Sequence, residues 1–295
     1  VEVPRLLRDV LPSGVPTVVT EERSLGPQHV SHPLTRKISF TGSTEVGRKV
    51  GVAAIQNLKR VTLELGGNDP AILLEDANLE NIGQSLFWSG FMNNGQVCMA
   101  AKRVYVHENI YDHVVQAVAG VAQSIPVGDG ATPGHYLGPV NNKAQLDRVA
   151  ELVDAAVAEG ANVVTGGKRI DSDGYFYQPT VLTGLADRAR VIHEEQFGPV
   201  MPIIPFRTED EAIALANDSE YGLTASVWSA DYDRALAVAA RIDSGQVGIN
   251  FHGLATRVNL PFSGRKDSGI GVENGLWGYY SYTETQAVAG FPRTP

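Results

Sequence analysis

Two spacings of apolar residues take turns along the chain. Short apolar or β-branched runs predict strands over 36–40, 61–65, 71–74, 102–107, 200–206, 223–228 and 246–250. Between them the spacing becomes helical. A helix is predicted from Thr44 to about Asn57, and another over 79–91 with Ile82, Leu86 and Phe87 on its apolar face. Residues 110–125 carry Val114, Val115, Val118 and Val121. Residues 144–159 carry Leu146, Val149, Leu152, Val153 and Val157 before Gly160 stops the helix. Thr208 with Glu211 three positions on fits a capping box, and Asp231 caps a helix running to Ile242. The glycine-rich stretch 261–275 predicts a shaped loop into a last helix, and 280–288 a closing strand. Strand and helix in alternation predict an α/β fold with substantial parallel sheet.

Composition narrows the classes. A length of 295 residues suggests about two domains with a large core. The net charge of −9 offers no basic field to recruit nucleic acid or an anionic membrane. No apolar run reaches the ~20 residues of a membrane span. A single cysteine excludes an internal disulfide framework and a multi-cysteine zinc site, and suits a reducing compartment. The seven histidines show no ligand spacing, so no metal is expected. Val1 is not an initiator methionine and no signal peptide follows it, so a preceding segment was removed or lies outside the sequence.

Cys98 follows the polar, turn-forming Asn94-Gly95-Gln96 between a helix and a strand. A lone cysteine is more often a core residue, but loops at sheet ends are where α/β enzymes carry catalytic groups. A thiolate there would be favoured by a nearby helix terminus. Glu64 ends a strand just before Gly66-Gly67, where burial would raise its pKa and make it a base; otherwise it is a solvent-facing edge residue. Gly42-Ser43-Thr44 turns a strand into a helix N-terminus, which can hold a phosphate. It lacks the Lys-Ser/Thr of a nucleoside-triphosphate loop, because Arg48 follows Gly47. Glu195 and Phe197 stand in a rigid turn before Gly198-Pro199. They could receive a ribose diol and a flat heterocycle, or be a surface acid and a core ring. Asn217-Asp218-Ser219 fits a glycosylation sequon by chance.

In order along the chain these pieces resemble the NAD(P)-dependent aldehyde dehydrogenase superfamily. The motifs are Phe40-Thr41-Gly42-Ser43-Thr44-Glu45-Val46-Gly47, Leu63-Glu64-Leu65-Gly66-Gly67, Gly95-Gln96-Val97-Cys98, Glu195-Gln196-Phe197-Gly198-Pro199 and Pro261-Phe262-Ser263-Gly264 with Ser268-Gly269-Ile270-Gly271. The resemblance implies that Cys98 is the nucleophile, forming a thiohemiacetal and then a thioacyl-enzyme. Its backbone N–H would be one oxyanion donor, and Glu64 the base that activates the hydrolytic water. Gly42 and Ser43 would hold the pyrophosphate, Glu195 the nicotinamide ribose, with Phe197, Leu65 and Gly66 around the cofactor. Met92, Val97, Met99 and Phe251 would line the substrate pocket. The cofactor would be NAD or NADP, the partner a small-molecule aldehyde, the assembly a homodimer or homotetramer, and the location cytoplasmic.

The implied architecture is half of a Rossmann-like cofactor domain over 1–66 and a catalytic domain over 67–266. A return helix over 267–279 and an oligomerisation strand or tail over 280–295 complete it. Asn68 stands where relatives often carry Lys, and Ser263 where Gly is common. Family members are longer at the N-terminus. The part without a counterpart here holds the first strands of the dinucleotide fold, the residues choosing NAD or NADP, and an Asn amide donating to the oxyanion. The expected function is oxidation of an aldehyde to its acid. The alternatives are an acylating or reductive relative, against which Glu64 speaks, and a catalytically silent nucleotide-binding or interface module.

Overall fold

A computed structural model describes residues 2–7, 9–20, 24–253 and 257–290 of the chain. Its first part runs α1 (Glu2–Leu7), α2 (Leu25–Ser31), β1 (Lys37–Thr41), α3 (Thr44–Gln56), β2 (Arg60–Glu64), β3 (Asp69–Leu73), α4 (Ile82–Phe91), β4 (Ala101–His107) and α5 (Tyr111–Ser124). Next come α6 (Lys143–Ala158), β5 (Asn162–Thr165), β6 (Thr180–Thr183), α7 (Arg190–His193), β7 (Val200–Phe206), α8 (Glu209–Asn217), β8 (Tyr221–Gly222) and β9 (Thr224–Trp228). The chain closes with α9 (Tyr232–Ala239), β10 (Gln246–Ile249), β11 (Arg265–Lys266), β12 (Gly269–Ile270) and α10 (Gly275–Tyr280).

A seven-stranded sheet in the order β10-β9-β3-β4-β7-β6-β5 forms the body, parallel except where β5 meets β6. Its central strands explain their unbroken apolar runs, because helices cover both faces. Ala71, Leu73, Val104 and Val106 pack into a cluster with Leu86, Phe87, Val114 and Val118 from α4 and α5. Ile72, Leu74 and Tyr105 point the other way, against Ala212 and Ile213 of α8 and Ala235 and Val238 of α9. A smaller sheet, β1-β2-β12, carries α2 and α3 on a separate core of Val30, Ile38 and Ala54. The chain leaves this small sheet at Glu64 and enters the large one at Asp69. Residues 65–68 therefore bridge the two sheets.

Most local expectations hold. Thr208 Oγ1 caps α8 by accepting from the Glu211 N–H, while the Glu211 carboxylate accepts from Arg207 N–H, one residue earlier than a capping box requires. The Asn217 side chain is occupied in a turn, its amide donating to Arg241 O and its oxygen accepting from Asp243 N–H. Three expectations fail. The return helix over 267–279 forms only as α10 (Gly275–Tyr280), because 269–270 pair with β2 as β12 instead. The helix capped by Asp231 ends at Ala239 rather than Ile242. The closing strand over 280–288 does not form: 275–280 are helical, and 281–290 contain no strand. A strand is held by its ladder, and no backbone among the described residues pairs with this segment. Residues 291–295 of the expected tail lie outside the described residues.

Candidate active site

The thiol is placed by a sharp redirection of the chain. After α4, the residues Asn93, Asn94 and Gly95 take φ values of 52°, 58° and 70°, three left-handed residues in succession. Asn tolerates this conformation and Gly is free in it. At Gly95 a Cβ would stand 2.1 Å from Gly198 O and 2.5 Å from Lys102 Nζ, so the loop and the 195–199 turn lie backbone to backbone. Gln96, Val97 and Cys98 then enter the cleft.

On the other side, Gly67 lies against the nucleophile itself, because a Cβ there would sit 2.1 Å from Cys98 O. Its N–H donates to Glu195 Oε1 at 3.0 Å. A Cβ on Gly66 would meet Glu195 Oε2 at 2.7 Å. The Gly-Gly pair thus brings the Cys98 backbone and the Glu195 carboxylate together just beyond the end of β2, while Glu64 itself is not on the wall of the cavity that Cys98 and Glu195 line.

Glu64 is that strand end, flanked by Thr41 of β1 and Gly269 of β12. Both its carboxylate oxygens are buried without a partner. Burial first, and the charge of Glu273 second, push its pKa up to about 8. The thiol is pushed up as well, to about 11, by burial and then by Asp69, Glu195 and Glu64, against one N–H from Met99. The expected thiolate is therefore not favoured by the protein alone. The nearby helix terminus is the C-terminal end of α4, whose dipole disfavours negative charge.

Cys98, Gly42, Ser43, Leu65, Gly66, Glu195 and Phe197 line one cavity of about 800 Å³. Ser43 caps α3 by accepting from Val46 N–H, and Thr44 and Glu45 of its first turn border the cavity with backbone N–H groups left over by the helix. Phe197 has φ +46°, a rare and strained state for an aromatic residue, worth about 1–3 kcal/mol. It is held from all sides. Gln145 Nε2 donates to Gln196 O at 2.8 Å and Phe197 O at 3.0 Å, and the Gln196 amide donates to Val191 O. Buried Lys102 donates to Gly198 O at 2.6 Å and to Gly90 O at 2.9 Å. Burial brings its pKa down to about 7.

Gln145, Arg148 and Tyr221 also line the cavity and were not singled out from sequence. Their signal was faint: Gln145 and Arg148 are three apart on α6 and so share one face, beside the apolar one. Arg148 donates to Glu194 at 3.0 Å, which Arg190 grips with two further bonds. A second cavity of about 230 Å³ adjoins the first at Val97, with Met92 and Met99 on its wall. Phe251 is not on that wall; its neighbour His252 is. Among the described residues no cluster of His, Cys, Asp and Glu could hold a metal.

The residues present fit a dinucleotide. Glu195 spends one oxygen on Gly67 and turns the other to the cavity, and the α3 N-terminus and Arg148 supply positive character for phosphate.

Comparison with known proteins agrees with this geometry. The model of the "Aldehyde dehydrogenase family" matches residues 2–288. Geranial dehydrogenase of Castellaniella defragrans is 42% identical over 278 residues, covering 94% of this chain and 58% of that protein. The NADP+ succinate-semialdehyde dehydrogenase of Escherichia coli is 39% identical over 279 residues, with 94% and 58% covered. A solved structure of an aldehyde dehydrogenase C mutant from Pseudomonas syringae, in complex with NAD+ and octanal, superposes with a TM-score of 0.86 at 40% identity. It covers 92% of this chain and 56% of that one. The chain thus spans somewhat over half the length of the relatives it matches. With the family match running almost from end to end, this chain belongs to the aldehyde dehydrogenase family.

Proposed function

We propose that this chain carries the chemical centre of an NAD(P)-dependent aldehyde dehydrogenase that oxidises an aldehyde to its carboxylic acid. The observation that carries the reading is the contact of Gly66 and Gly67 with Cys98 and Glu195 beside the strand end that bears Glu64. Cys98 sulfur adds to the carbonyl carbon as thiolate, and the oxygen takes the negative charge, held by the Cys98 N–H. A nicotinamide cofactor held by Glu195, Phe197 and the Ser43 turn in the large cavity would supply the acceptor for the hydride that leaves the Cys98 adduct, and its positive charge would offset the carboxylates around the sulfur. Glu64 then takes a proton from water, whose oxygen attacks the thioacyl carbon; the C–S bond breaks and the acid leaves. Its raised pKa means that Glu64 holds a proton at neutral pH and gains basic power as the pH passes about 8.

In this reading Glu195 and Gln145 hold ribose, and Arg148, Ser43 and Gly42 the phosphates. Residues 1–66 belong with the cofactor and 67–266 with the thiol, 267–279 return to the cofactor side, and 280–295 serve assembly. The cofactor is NAD or NADP. The protein is cytoplasmic and a homodimer or homotetramer; among the described residues no helix is long and apolar enough to cross a membrane. Exposed Val46, Val52 and Ile55 on α3, with Leu58 beyond it, support the assembly.

The test combines two readouts. Absorbance at 340 nm follows aldehyde-dependent NADH or NADPH formation, and mass spectrometry follows iodoacetamide labelling of native Cys98. Expected are labelling of Cys98, reduced cofactor with short aldehydes, and loss of that signal in Cys98→Ser. Labelling only after denaturation, with no reduced cofactor, overturns the proposal.

A further inference from the structure

A buried imidazole stands behind the nucleophile and takes no part in the chemistry above. After β10, Asn250 takes φ 59°, a conformation Asn tolerates, and turns the chain back over the sheet. Asn250 Oδ1 accepts from Ser229 N–H and its amide donates to Ser229 O, both at 2.9 Å, which fixes the turn. A Cβ on Gly248 would sit 2.2 Å from Phe251 O, so a glycine lets the returning chain lie this close. His252 is thereby laid on the face of β9 that carries Thr224, Ser226 and Trp228, alternate residues of one strand. Its side chain is 1% exposed.

Both ring nitrogens have a defined role. Met99 O is 2.9 Å from Nε2, and a carbonyl only accepts, so Nε2 carries the proton. Nδ1 is 2.9 Å from Ser226 Oγ. That oxygen accepts from Trp228 Nε1 at 2.9 Å, since an indole only donates, and its own hydrogen is left for Nδ1. The bonds run from Trp228 through Ser226 and His252 to Met99, all in one sense, and hold the ring in one tautomer and one orientation. Asp69 lies 3.8 Å from Nε2 but takes its hydrogen bonds from the Thr224 N–H and hydroxyl. Burial pushes Asp69 up to about 8, with Arg103 drawing it down and Glu195 adding to the rise, and burial brings the imidazole down to about 4. At neutral pH ring and acid therefore meet uncharged, in keeping with the cost of burying an ion pair.

Met99 follows the nucleophile directly, and its N–H donates to the Cys98 sulfur. We infer that His252 is a positioning residue for the nucleophile: as a neutral ring protonated on Nε2, it holds Met99 by its carbonyl so that the Met99 N–H stays on the sulfur. The inference rests on the proposed function, because it names what holds that function's thiol in place. The donor matters most once the sulfur is charged, since hydrogen bonds to ions are about twice as strong as neutral ones. Burial and three carboxylates oppose the thiolate, and this N–H acts in the opposite direction.

The test reads the ring and the thiol separately. In the parent protein carrying nitrogen-15 in its imidazoles, proton–nitrogen correlation spectra should show His252 neutral and protonated on Nε2 from pH 5.5 to 8.5. The resonances lost in His252→Gln identify it among the seven histidines. Cofactor-free alkylation of Cys98 by iodoacetamide, followed by mass spectrometry between pH 7.5 and 9.5, reads the thiol. His252→Leu removes the donor to Met99 O and should slow alkylation by about tenfold at each pH, moving the profile up by about one pH unit. His252→Gln offers an amide N–H to the same carbonyl and should stay within twofold of the parent. A histidine that only filled space would leave the Leu profile where it was, and a loosened loop would expose the thiol and speed labelling. Either result overturns the inference, as does slowing that Gln fails to restore, an imidazolium, or a proton on Nδ1. If His252→Leu does not fold, the parent's ring spectra and the Gln profile decide. In each of these outcomes a parent that labels at Cys98 and forms reduced cofactor leaves the proposed function standing. A parent Cys98 that labels only after denaturation, with no reduced cofactor, overturns that function and this inference together.

Discussion

Glu64 should cost the fold stability, and that cost should depend on pH. Its two oxygens are buried without partners, and its pKa rises from the ordinary 4.5 to about 8 in the folded protein. The folded state therefore keeps this proton over a range in which the unfolded chain has lost it. A raised folded value means that stability is greatest below the unfolded value and declines as pH climbs toward the folded one. From those two values the carboxyl destabilises the fold by about 1.5 kcal/mol at pH 5.5, about 3 at pH 7 and about 4.5 at pH 8.5. Glu64→Gln keeps the shape and abolishes the titration. Its amide also lacks partners, but that penalty is the same at every pH, so the change in the difference between variant and parent isolates the carboxyl. Between pH 5.5 and 8.5 the variant should gain about 3 kcal/mol on the parent, or about 1 M in urea midpoint. Urea unfolding followed by far-ultraviolet circular dichroism at the three pH values measures it. Two curves that run parallel across that range would mean that Glu64 is hydrated or paired in the folded protein, and the reasoning fails.

Three further outcomes follow from the site. Gly67→Ala puts a methyl 2.1 Å from Cys98 O, so the thiol must retreat by about 1 Å. Initial rates should fall about a hundredfold and urea stability by about 1–3 kcal/mol; a parent-like rate contradicts the contact. Without cofactor, alkylation of Cys98 should accelerate about tenfold per pH unit from 7 to 10, since the thiol titrates near 11; a plateau below pH 8 would show that burial and the neighbouring carboxylates do not govern it. Gln145→Ala frees the Gln196 and Phe197 carbonyls and relaxes a strained turn. Calorimetry should show cofactor affinity at least tenfold weaker, with Cys98 labelling within twofold of the parent; the opposite split would move Gln145 to the thiol side.

Strands β3 and β4 were legible in sequence because helices cover both their faces, which leaves the apolar runs 71–74 and 104–106 unbroken even though Asp69, Lys102 and Arg103 lie at the starts of these strands. Ser43, Thr208 and Asp231 were legible as caps because capping is local chemistry. Short β5 and β6, with four residues each, carry too few positions for a period to show. Cys98, Glu64, Glu195 and Ser43 stood out because turn residues surround them. Gln145 and Arg148 lie in an ordinary amphipathic helix, where polar residues read as a solvated face; only the packing of α6 over the 195–199 turn gives them a task. The depth of Lys102 and His252 was equally hidden, since a sequence shows that a residue is basic and not that carbonyls and hydroxyls surround it. That the protein alone does not favour the thiolate was hidden for a related reason. Sequence showed a helix end near Cys98 but not that three carboxylates converge on it.

Lys102 holds Gly90 O at the end of α4 and Gly198 O in the turn behind Phe197 with a single ammonium sunk in the protein. The segment that delivers the thiol and the turn that faces the cofactor are therefore one mechanical part. Neither can swing without stripping a buried cation of its ligands. The remaining freedom of the cleft belongs to its opposite wall, the small sheet with α3, which meets the body through residues 65–68 and the short β11–β12 excursion. Crosslinks that tie that wall to the body, rather than crosslinks around the thiol, are expected to change how fast a ligand exchanges with the large cavity.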